Sequence, residues 1–172
     1  MECAGPVTVV VGGYQVEWKR EASGRVRFAV PEGVDPEQAT EVYLLCGGQS
    51  VSPAVRLPMA AASPGLFVDG EAVANDMKAP AKAGEPAVLR ATGLGVLGPP
   101  DATGLRWTVN PVSVTVGGQE AAVLYAGSAP GQEAGVAQVN ILVPAGLGAG
   151  RQPIQITEAG VTASGPAFLV VQ

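Results

Sequence analysis

Apolar and polar residues alternate along two similar stretches of the chain. "PVTVVVGGYQVEW" begins at Pro6 and "PVSVTVGGQEAAVLY" begins at Pro111. Alternation with a period of two predicts β-strands, because successive side chains of a strand point to opposite faces of the sheet. Each stretch is interrupted by a glycine pair, Gly12 and Gly13 or Gly117 and Gly118. Since glycine takes positive φ at little cost, each pair predicts the tight turn of a β-hairpin.

The hairpin registers predict one apolar face and one polar face for each pair of strands. Around the first turn they pair Val11 with Tyr14, Val9 with Val16 and Val7 with Trp18. Around the second turn they align a valine face with an apolar face of the next strand: Val112, Val114 and Val116 with Ala121 and Val123. One buried face and one solvated face are typical of a two-layer β-sandwich.

The similarity between the two stretches continues along the chain and predicts an internal repeat. "VRFAVPEGV" from Val26 matches "VNILVPAGL" from Val139, and "VYLLCGGQSVSPAVRL" from Val42 matches "IQITEAGVTASGPAFLV" from Ile154. We therefore expect an all-β chain of two immunoglobulin-like β-sandwich modules in tandem. Residues 1–58 form the first module, and residues 59–172 form the second, with its repeat copy from residue 111.

The two predicted modules differ in their strand content. The second begins with "PMAAASPG", which is suited to a linker, and adds strands at "GLFVDG" and "EPAVLRATGLG" before its repeat copy. The first starts at its hairpin, so it is predicted to be strand-deficient. A sheet with an unpaired edge accepts strands from elsewhere. This favours self-association, as a homo-oligomer or a head-to-tail filament, or contact with neighbouring domains of a larger protein.

Composition and charge narrow the partners that we expect. The 172 residues include 24 glycines and 15 prolines, only 15% are charged, and the formal net charge is -5. Long helices are disfavoured, and there is no basic stripe to neutralise phosphates, so nucleic acid is not expected as a partner. No apolar run is long enough for a membrane span, and the first residues lack the basic start of a signal peptide.

Catalysis and cofactor binding are not expected. The chain has no histidine, which removes the commonest general base and the commonest zinc ligand. "GLGVLG" from Gly93 lacks the spacing and the following helix of a dinucleotide site. Glu17 and Glu120 lie on predicted solvent faces, which disfavours a glycosidase pair. The acidic stretch with Asp69, Glu71, Asn75 and Asp76 does not have calcium-loop spacing, so we expect a polar turn and no metal.

Two cysteines, Cys3 and Cys46, leave two states open. They can form a structural disulfide that pins the N-terminus over its own sheet, or remain two buried thiols. A disulfide closing this loop would stabilise the chain by roughly 3 to 4 kcal/mol in the chain-entropy model.

Aromatic and amide side chains offer a second kind of surface. Trp18, Trp107 and the tyrosines Tyr14, Tyr43 and Tyr125 could together line a carbohydrate-stacking surface. The valine-face register instead places Tyr14 and Trp18 in the core. Gln138 and Asn140 alternate with apolar residues, and we expect them to bond to backbone at a sheet edge or loop.

Several segments together resemble a known family. "SPGLF" at Ser63, "ATGLG" at Ala91, "QVNILVPAGL" from Gln138 and the closing "GVTASGPAFLVV" are, with the repeat copy from Pro111, similar to the Solibacter-type uncharacterised C-terminal domain of large secreted bacterial proteins. The resemblance covers residues 60 to 172 and more faintly residues 6 to 57. It implies a secreted immunoglobulin-like β-module with no catalytic residues.

These observations lead to two functional hypotheses. The first is a non-catalytic extracellular or cell-surface module for adhesion or structure, self-assembling into a filament by strand complementation. The second is a carbohydrate- or peptide-binding β-sandwich domain of a larger secreted protein. An exposed aromatic groove would favour the second.

Overall fold

The computed structural model is all-β and describes residues 4–75 and 79–172. The described residues contain no helix, and therefore none that could cross a membrane. The chain divides into two compact units, Met1–Ala61 (unit 1) and Ala62–Gln172 (unit 2). This is the all-β, immunoglobulin-like class that the alternating pattern predicts, and each unit is described below by itself.

Unit 1 consists of a five-stranded sheet and a separate two-stranded hairpin. Its strands are β1 (Val7–Val11), β2 (Tyr14–Val16), β3 (Trp18–Arg20), β4 (Val26–Phe28), β5 (Thr40–Cys46), β6 (Gln49–Ser50) and β7 (Val55–Leu57). The sheet has the order β2-β1-β5-β6, and β7 also pairs with β5. Strands β3 and β4 pair with each other to form the hairpin.

Unit 2 is a larger sandwich of ten strands. They are β8 (Gly65–Leu66), β9 (Pro86–Thr92), β10 (Leu97–Pro100), β11 (Arg106–Thr108), β12 (Val112–Val116), β13 (Gln119–Ser128), β14 (Ala137–Leu142), β15 (Gly150–Glu158), β16 (Val161–Thr162) and β17 (Phe168–Val171). One layer pairs β12 with β15, and the other pairs β8, β9 and β14 in that order. Strand β13 joins both layers, because its first half pairs with β12 and its second half pairs with β14.

The core of unit 2 lies between these two layers. Leu89 and Val139 from one layer and Val114 and Ile156 from the other are fully buried in one hydrophobic cluster. Burying an aliphatic side chain of this size contributes about 1.5 to 3 kcal/mol. This shared apolar interior holds the sandwich together.

Both units have the same strand-pairing pattern. In unit 1, β1 lies between β2 and β5, and β5 also pairs with β6 and β7. In unit 2, β12 lies between β13 and β15, and β15 also pairs with β16 and β17. The registers match, since Val9 faces Leu44 in unit 1 and Val114 faces Ile156 in unit 2. The repeated sequence thus folds into the same local topology twice.

The counterpart of β14 in unit 1 is β4. Trp18 faces Phe28 in β3 and β4, and Val123 faces Ile141 in β13 and β14. These two pairs stand at equivalent positions of the repeat. In unit 2, β9 pairs with the other edge of β14 along its whole length. Within residues 4–75 and 79–172, β4 pairs with β3 alone. Unit 1 therefore lacks the strand that covers this position in unit 2.

The first strand differs from the expected alternation of buried and solvated faces. Val9, Val10 and Val11 are all buried, so both faces of β1 are covered near its end. Alternation is retained better in β14, where Val139 and Ile141 are buried and the residues between them are partly exposed. The expectation of one wet face is wrong for β1.

Candidate functional site

The two glycine pairs form the turns of the repeated hairpins. Gly12 and Gly13 have φ of 57° and 86°, and Gly117 and Gly118 have φ of 59° and 77°. Positive φ at both positions matches the twist of the flanking strands. A Cβ on Gly12 would also lie 2.7 Å from the hydroxyl oxygen of Thr40. These glycines have a structural role in the turns.

The sulfur of Cys46 lies at the end of β5, beside the N-terminal segment. Cys46 pairs with Val7, and its Sγ is 4.0 Å from the carbonyl oxygen of Gly5. Cys3 lies outside the described residues, so the disulfide stays a prediction. In unit 2 the matching position, opposite Val112, is taken by Glu158.

The acidic stretch from Asp69 is a turn that serves its own backbone. Oδ1 of Asp69 accepts hydrogen bonds from the amides of Glu71 and Val73, both at 2.9 Å. The side chain of Asn75 bonds to both backbone groups of Val170. Asp76 lies outside the described residues. In the described part of this stretch, Oδ1 of Asp69 and the side-chain oxygen of Asn75 are already engaged.

The aromatic side chains are placed differently from the core prediction. Tyr14 is 48% exposed, and β2 pairs only with β1 among the described strands. Its hydroxyl donates to the carbonyl of Gly33 at 3.5 Å. Its assignment to the core is wrong. Trp18 is half-buried, and its indole N–H donates to the carbonyl of Val7 at 3.2 Å. Trp107 is 46% exposed.

An apolar groove opens in unit 1 where the covering strand is missing. It has a volume of about 320 Å³ and is lined by residues of β1, β4, β5 and β7 and the segment between β6 and β7: Val9, Val26, Phe28, Val42, Tyr43, Leu44, Ser52, Pro53 and Val55. Val26 and Val55 are 38% and 57% exposed. In unit 2, the matching β14 residues Val139 and Ile141 are fully buried and lie beside Leu89 and Ala87 of β9.

The edge of β4 carries positive charge on its other face. Arg25 and Arg27 flank Val26 and are exposed. Because side chains alternate along a strand, these arginines point away from the groove that Val26 lines. Nη2 of Arg27 donates to Glu21 Oε1 at 2.6 Å. An incoming strand would meet apolar side chains on one face and guanidinium groups on the other.

A second surface lies on the outer face of unit 2. The register places Trp107 beside Gly127, Gly127 beside Gln138, and Gln138 beside Arg90. Residues paired across strands point to the same face, so these positions form one row across four strands. Four strands span about 14 Å from the first strand to the last. This row, together with Asn140, is called the outer-face row below.

A chain of side-chain hydrogen bonds orders the polar half of the outer-face row. Nη1 of Arg90 donates to Gln138 Oε1 at 2.5 Å, and Nε2 of Gln138 donates to Asn140 Oδ1 at 2.9 Å. All three side chains are partly exposed. Because each amide is held by its neighbour, the row presents preorganised donors and acceptors to solvent. Sequence reasoning placed Gln138 and Asn140 at an edge or loop, whereas β14 is an inner strand.

The aromatic half of the row is fixed by Asp101 and Tyr125. The indole N–H of Trp107 donates to Asp101 Oδ2 at 3.0 Å, and its ring meets the buried Tyr125 ring edge-on at 4.7 Å. The hydroxyl of Thr103 and the indole of Trp107 stabilise the ionised carboxylate, which lowers the pKa of Asp101 to about 2. The indole is therefore held at one angle while nearly half of it stays exposed.

Gly127 permits the close packing beside Trp107. An added Cβ there would lie 2.0 Å from the carbonyl oxygen of Arg106 and 2.8 Å from the hydroxyl of Tyr125. That hydroxyl donates to the carbonyl of Ser128 at 2.7 Å. The carbonyl group of Arg106 and the hydroxyl of Tyr125 thus occupy the space that a side chain at residue 127 would need.

Arg90 was not singled out by sequence reasoning. The alternation "AVLRAT" predicts that it lies on the outer face of a strand, but Gln138 is 48 residues away along the chain. Only the pairing of β9 with β14 brings the two side chains together. Sequence spacing gives no signal for this contact.

Comparisons with known proteins give similarity to solved structures only. No protein-family model and no curated protein matches the chain. A surface glycan-binding protein of Bacteroides ovatus, SGBP-B from a mixed-linkage glucan utilization locus, is 16% identical with a TM-score of 0.38. SGBP-B from a xyloglucan utilization locus of Bacteroides uniformis is 12% identical with a TM-score of 0.37. The titin immunoglobulin tandem A164-A165 is 10% identical with a TM-score of 0.32.

These matches cover nearly all of this chain but a smaller share of each matched chain. The comparisons cover 96%, 98% and 97% of this chain, in the same order, but 36%, 43% and 81% of the other chains. This chain therefore spans less than half the length of the two glycan-binding proteins. Such low TM-scores and identities carry no inference about function.

Proposed function

We propose that the chain is a non-catalytic extracellular interaction module that accepts a β-strand at the open edge of β4. The observation that carries this proposal is the difference between the two units. Strand β14 is covered by β9 along its length, whereas its counterpart β4 has no second partner among the described strands and lies beside an apolar groove. An extended segment bound there would complete the sheet by β-augmentation.

The chemistry of the incoming strand follows from what β9 does in unit 2. Leu89 and Ala91, two positions apart, point into the core beneath β14. A strand on β4 would likewise insert alternate apolar side chains into the groove. Each large apolar side chain buried in this way contributes about 1.5 to 3 kcal/mol before the entropic cost of association. Ladder hydrogen bonds to β4 add register and direction.

We assign the donor strand to a second copy of this chain, which would give a homo-oligomer or a filament. The exposed Arg25 favours an acidic partner, since Arg27 is already paired with Glu21, and the chain itself has a formal net charge of -5. The chain has 47% hydrophobic and 15% charged residues, and this composition also favours self-association over a monomeric state. The absence of histidine from the chain supports a non-catalytic role, and an extracellular location is expected if Cys3 and Cys46 are bonded.

Sedimentation velocity over a wide concentration range tests this proposal. The full chain is expected to associate with increasing concentration. Val26→Asp, which puts a charge in the groove, should leave a monomer. Val88→Asp is the matched control, because Val88 is 52% exposed on unit 2. Circular dichroism of both variants shows whether the fold is retained.

A peptide competitor makes the test independent of folding defects. A synthetic peptide with the β9 sequence, Pro86–Thr92, but with glutamate in place of its arginine, should bind β4 and dissociate the oligomer. The glutamate faces the Arg25 and Arg27 side of β4. A scrambled peptide is the control. A monomer at every concentration, together with no binding of the peptide, would overturn the proposal.

A further inference from the structure

The outer-face row of unit 2 contains one guanidinium group, that of Arg90. Within residues 4–75 and 79–172, the side chain of Arg90 donates to the neutral amide oxygen of Gln138, and the salt bridges of this part of the chain involve other residues. The guanidinium has five N–H donors in a planar fork, and Gln138 accepts from only one nitrogen. The hydrogen bond to Gln138 fixes the orientation of the guanidinium. Its remaining N–H groups can bind a ligand, because Arg90 is partly exposed.

The surroundings of Arg90 are suited to a ring-shaped polar ligand. On one side along the row, Gln138 and Asn140 offer amide groups locked by their own hydrogen bond. At the far end, Trp107 offers an exposed indole held by Asp101. Aromatic rings pack against the apolar faces of ligands, while planar amides and guanidinium groups bind hydroxyl and carboxylate oxygens. Val88 and Leu142 border the row with exposed apolar surface.

We infer that the outer-face row binds an acidic oligosaccharide, with Arg90 holding a sugar carboxylate and Trp107 packing against a neighbouring sugar ring. A carboxylate matches the fork of the guanidinium in a bidentate arrangement, which lysine cannot reproduce. Gln138 positions the guanidinium. The span of about 14 Å across four strands accommodates several sugar units and explains why the two ends of the row are separated. This site is independent of the β4 edge.

The binding test compares a uronate with its methyl ester, in which a methyl group replaces the charge. Calorimetric titration of the full chain with an oligogalacturonide is compared with titration of the same oligomer as its neutral methyl ester. A sulfated cello-oligosaccharide provides an anion of different shape. We expect the uronate to bind at least about tenfold more tightly than its ester, because the ester lacks the charge that strengthens hydrogen bonds from the guanidinium. We also expect it to bind more tightly than the sulfated sugar, whose tetrahedral groups differ from the carboxylate in shape and in position on the sugar ring.

Variants assign the roles within the row. Arg90→Gln should abolish the preference for uronate over ester, and Arg90→Lys should weaken uronate binding about tenfold. Trp107→Ala should weaken both ligands equally. Arg56→Gln removes an exposed arginine of unit 1 and is the matched control. Circular dichroism of each variant confirms the fold.

Each other outcome contradicts the inference. Equal binding of uronate and ester, or a preference that survives Arg90→Gln, would exclude Arg90 as the carboxylate site. Tighter binding of the sulfated sugar would exclude a carboxylate as the ligand group. Binding of an acidic peptide with no binding of any saccharide would overturn the ligand class, and no binding at all would overturn the site.

Discussion

At the scale of single residues, Glu158 is the least accommodated side chain of the core. It is fully buried, and neither carboxylate oxygen has a hydrogen-bond partner among the described residues. Its strand neighbours, Val112 and Val161, are apolar. Burial disfavours the charged form and raises the pKa of Glu158 from 4.5 to about 7.

The stability of the chain should therefore depend on the pH through Glu158. The unfolded chain releases this proton near the ordinary pKa of 4.5, while the folded chain keeps it up to about pH 7. The contribution of protonated Glu158 to the stability of the fold is therefore complete below pH 4.5. It is lost as the pH rises through about 7, where the folded chain also gives up the proton. The total loss is at most about 3 kcal/mol.

Glu158→Gln should remove this dependence, because the amide does not ionise. Denaturant unfolding is expected to show the variant more stable than the parent at about pH 8 and nearly equal at about pH 4. Glu120→Gln, at an exposed position of β13, is the control and should follow the parent. Parallel profiles for Glu158→Gln and the parent would show that the carboxyl is not protonated in the fold.

A second residue-scale prediction concerns Gly127. Alanine would place Cβ 2.0 Å from the carbonyl oxygen of Arg106, so β11 or β13 must shift. We expect Gly127→Ala to destabilise the chain by about 2 to 4 kcal/mol. Gly148→Ala is the control, because an added Cβ there meets nothing within 4 Å. Equal urea midpoints for the two variants would contradict the close approach.

At the scale of elements, features set by local sequence pattern could be predicted, and features set by pairing between distant strands could not. The paired glycines and the alternation around them indicate hairpins, and Val9 does lie opposite Val16 as the turn requires. Local pattern could not show that β13 leaves β12 after Ala121 and continues with β14. A register shift between Val123 and Tyr125 accompanies this change of partner.

The two candidate surfaces differ in the same way. The correspondence between β4 and β14 could be anticipated from the repeat, because the sequence from Val26 matches the sequence from Val139. The outer-face row could not, because its members lie on β9, β11, β13 and β14 and meet only through the sheet. The exposure of Tyr14 was likewise hidden, since periodicity identifies a face but not whether anything covers it.

At the scale of the whole molecule, the two units have unequal cores. The buried apolar residues of unit 1 are concentrated at Val9, Val10 and Val11, whereas the main hydrophobic cluster lies in unit 2. Fewer buried apolar contacts mean a lower free energy of local opening. Backbone amides of β3 and β4 should therefore exchange with deuterium at least about tenfold faster than those of β9 and β14.

Exchange measured by mass spectrometry on the full chain, at a concentration where sedimentation shows a monomer, checks this order. Intrinsic exchange rates of the same peptides, taken in denaturant, serve as the control for sequence effects. Slower exchange in β4 than in β14 would show that the β4 edge is covered in solution. Added donor peptide should slow exchange in β4 and leave β14 unchanged.

The charge beside β4 also bears on the symmetry of the proposed assembly. Two copies meeting β4 to β4 would bring the arginines beside this edge, Arg25 and the Glu21-paired Arg27, against those of the other copy, and like charges facing across a strand pair oppose pairing. In the proposed assembly the edge would then meet a different surface of the next copy, a head-to-tail contact that gives an open polymer where the rotation between copies does not close a ring. A polymer of this kind has two chemically distinct ends, and a ligand specific for one end would stop growth there while leaving the other end active.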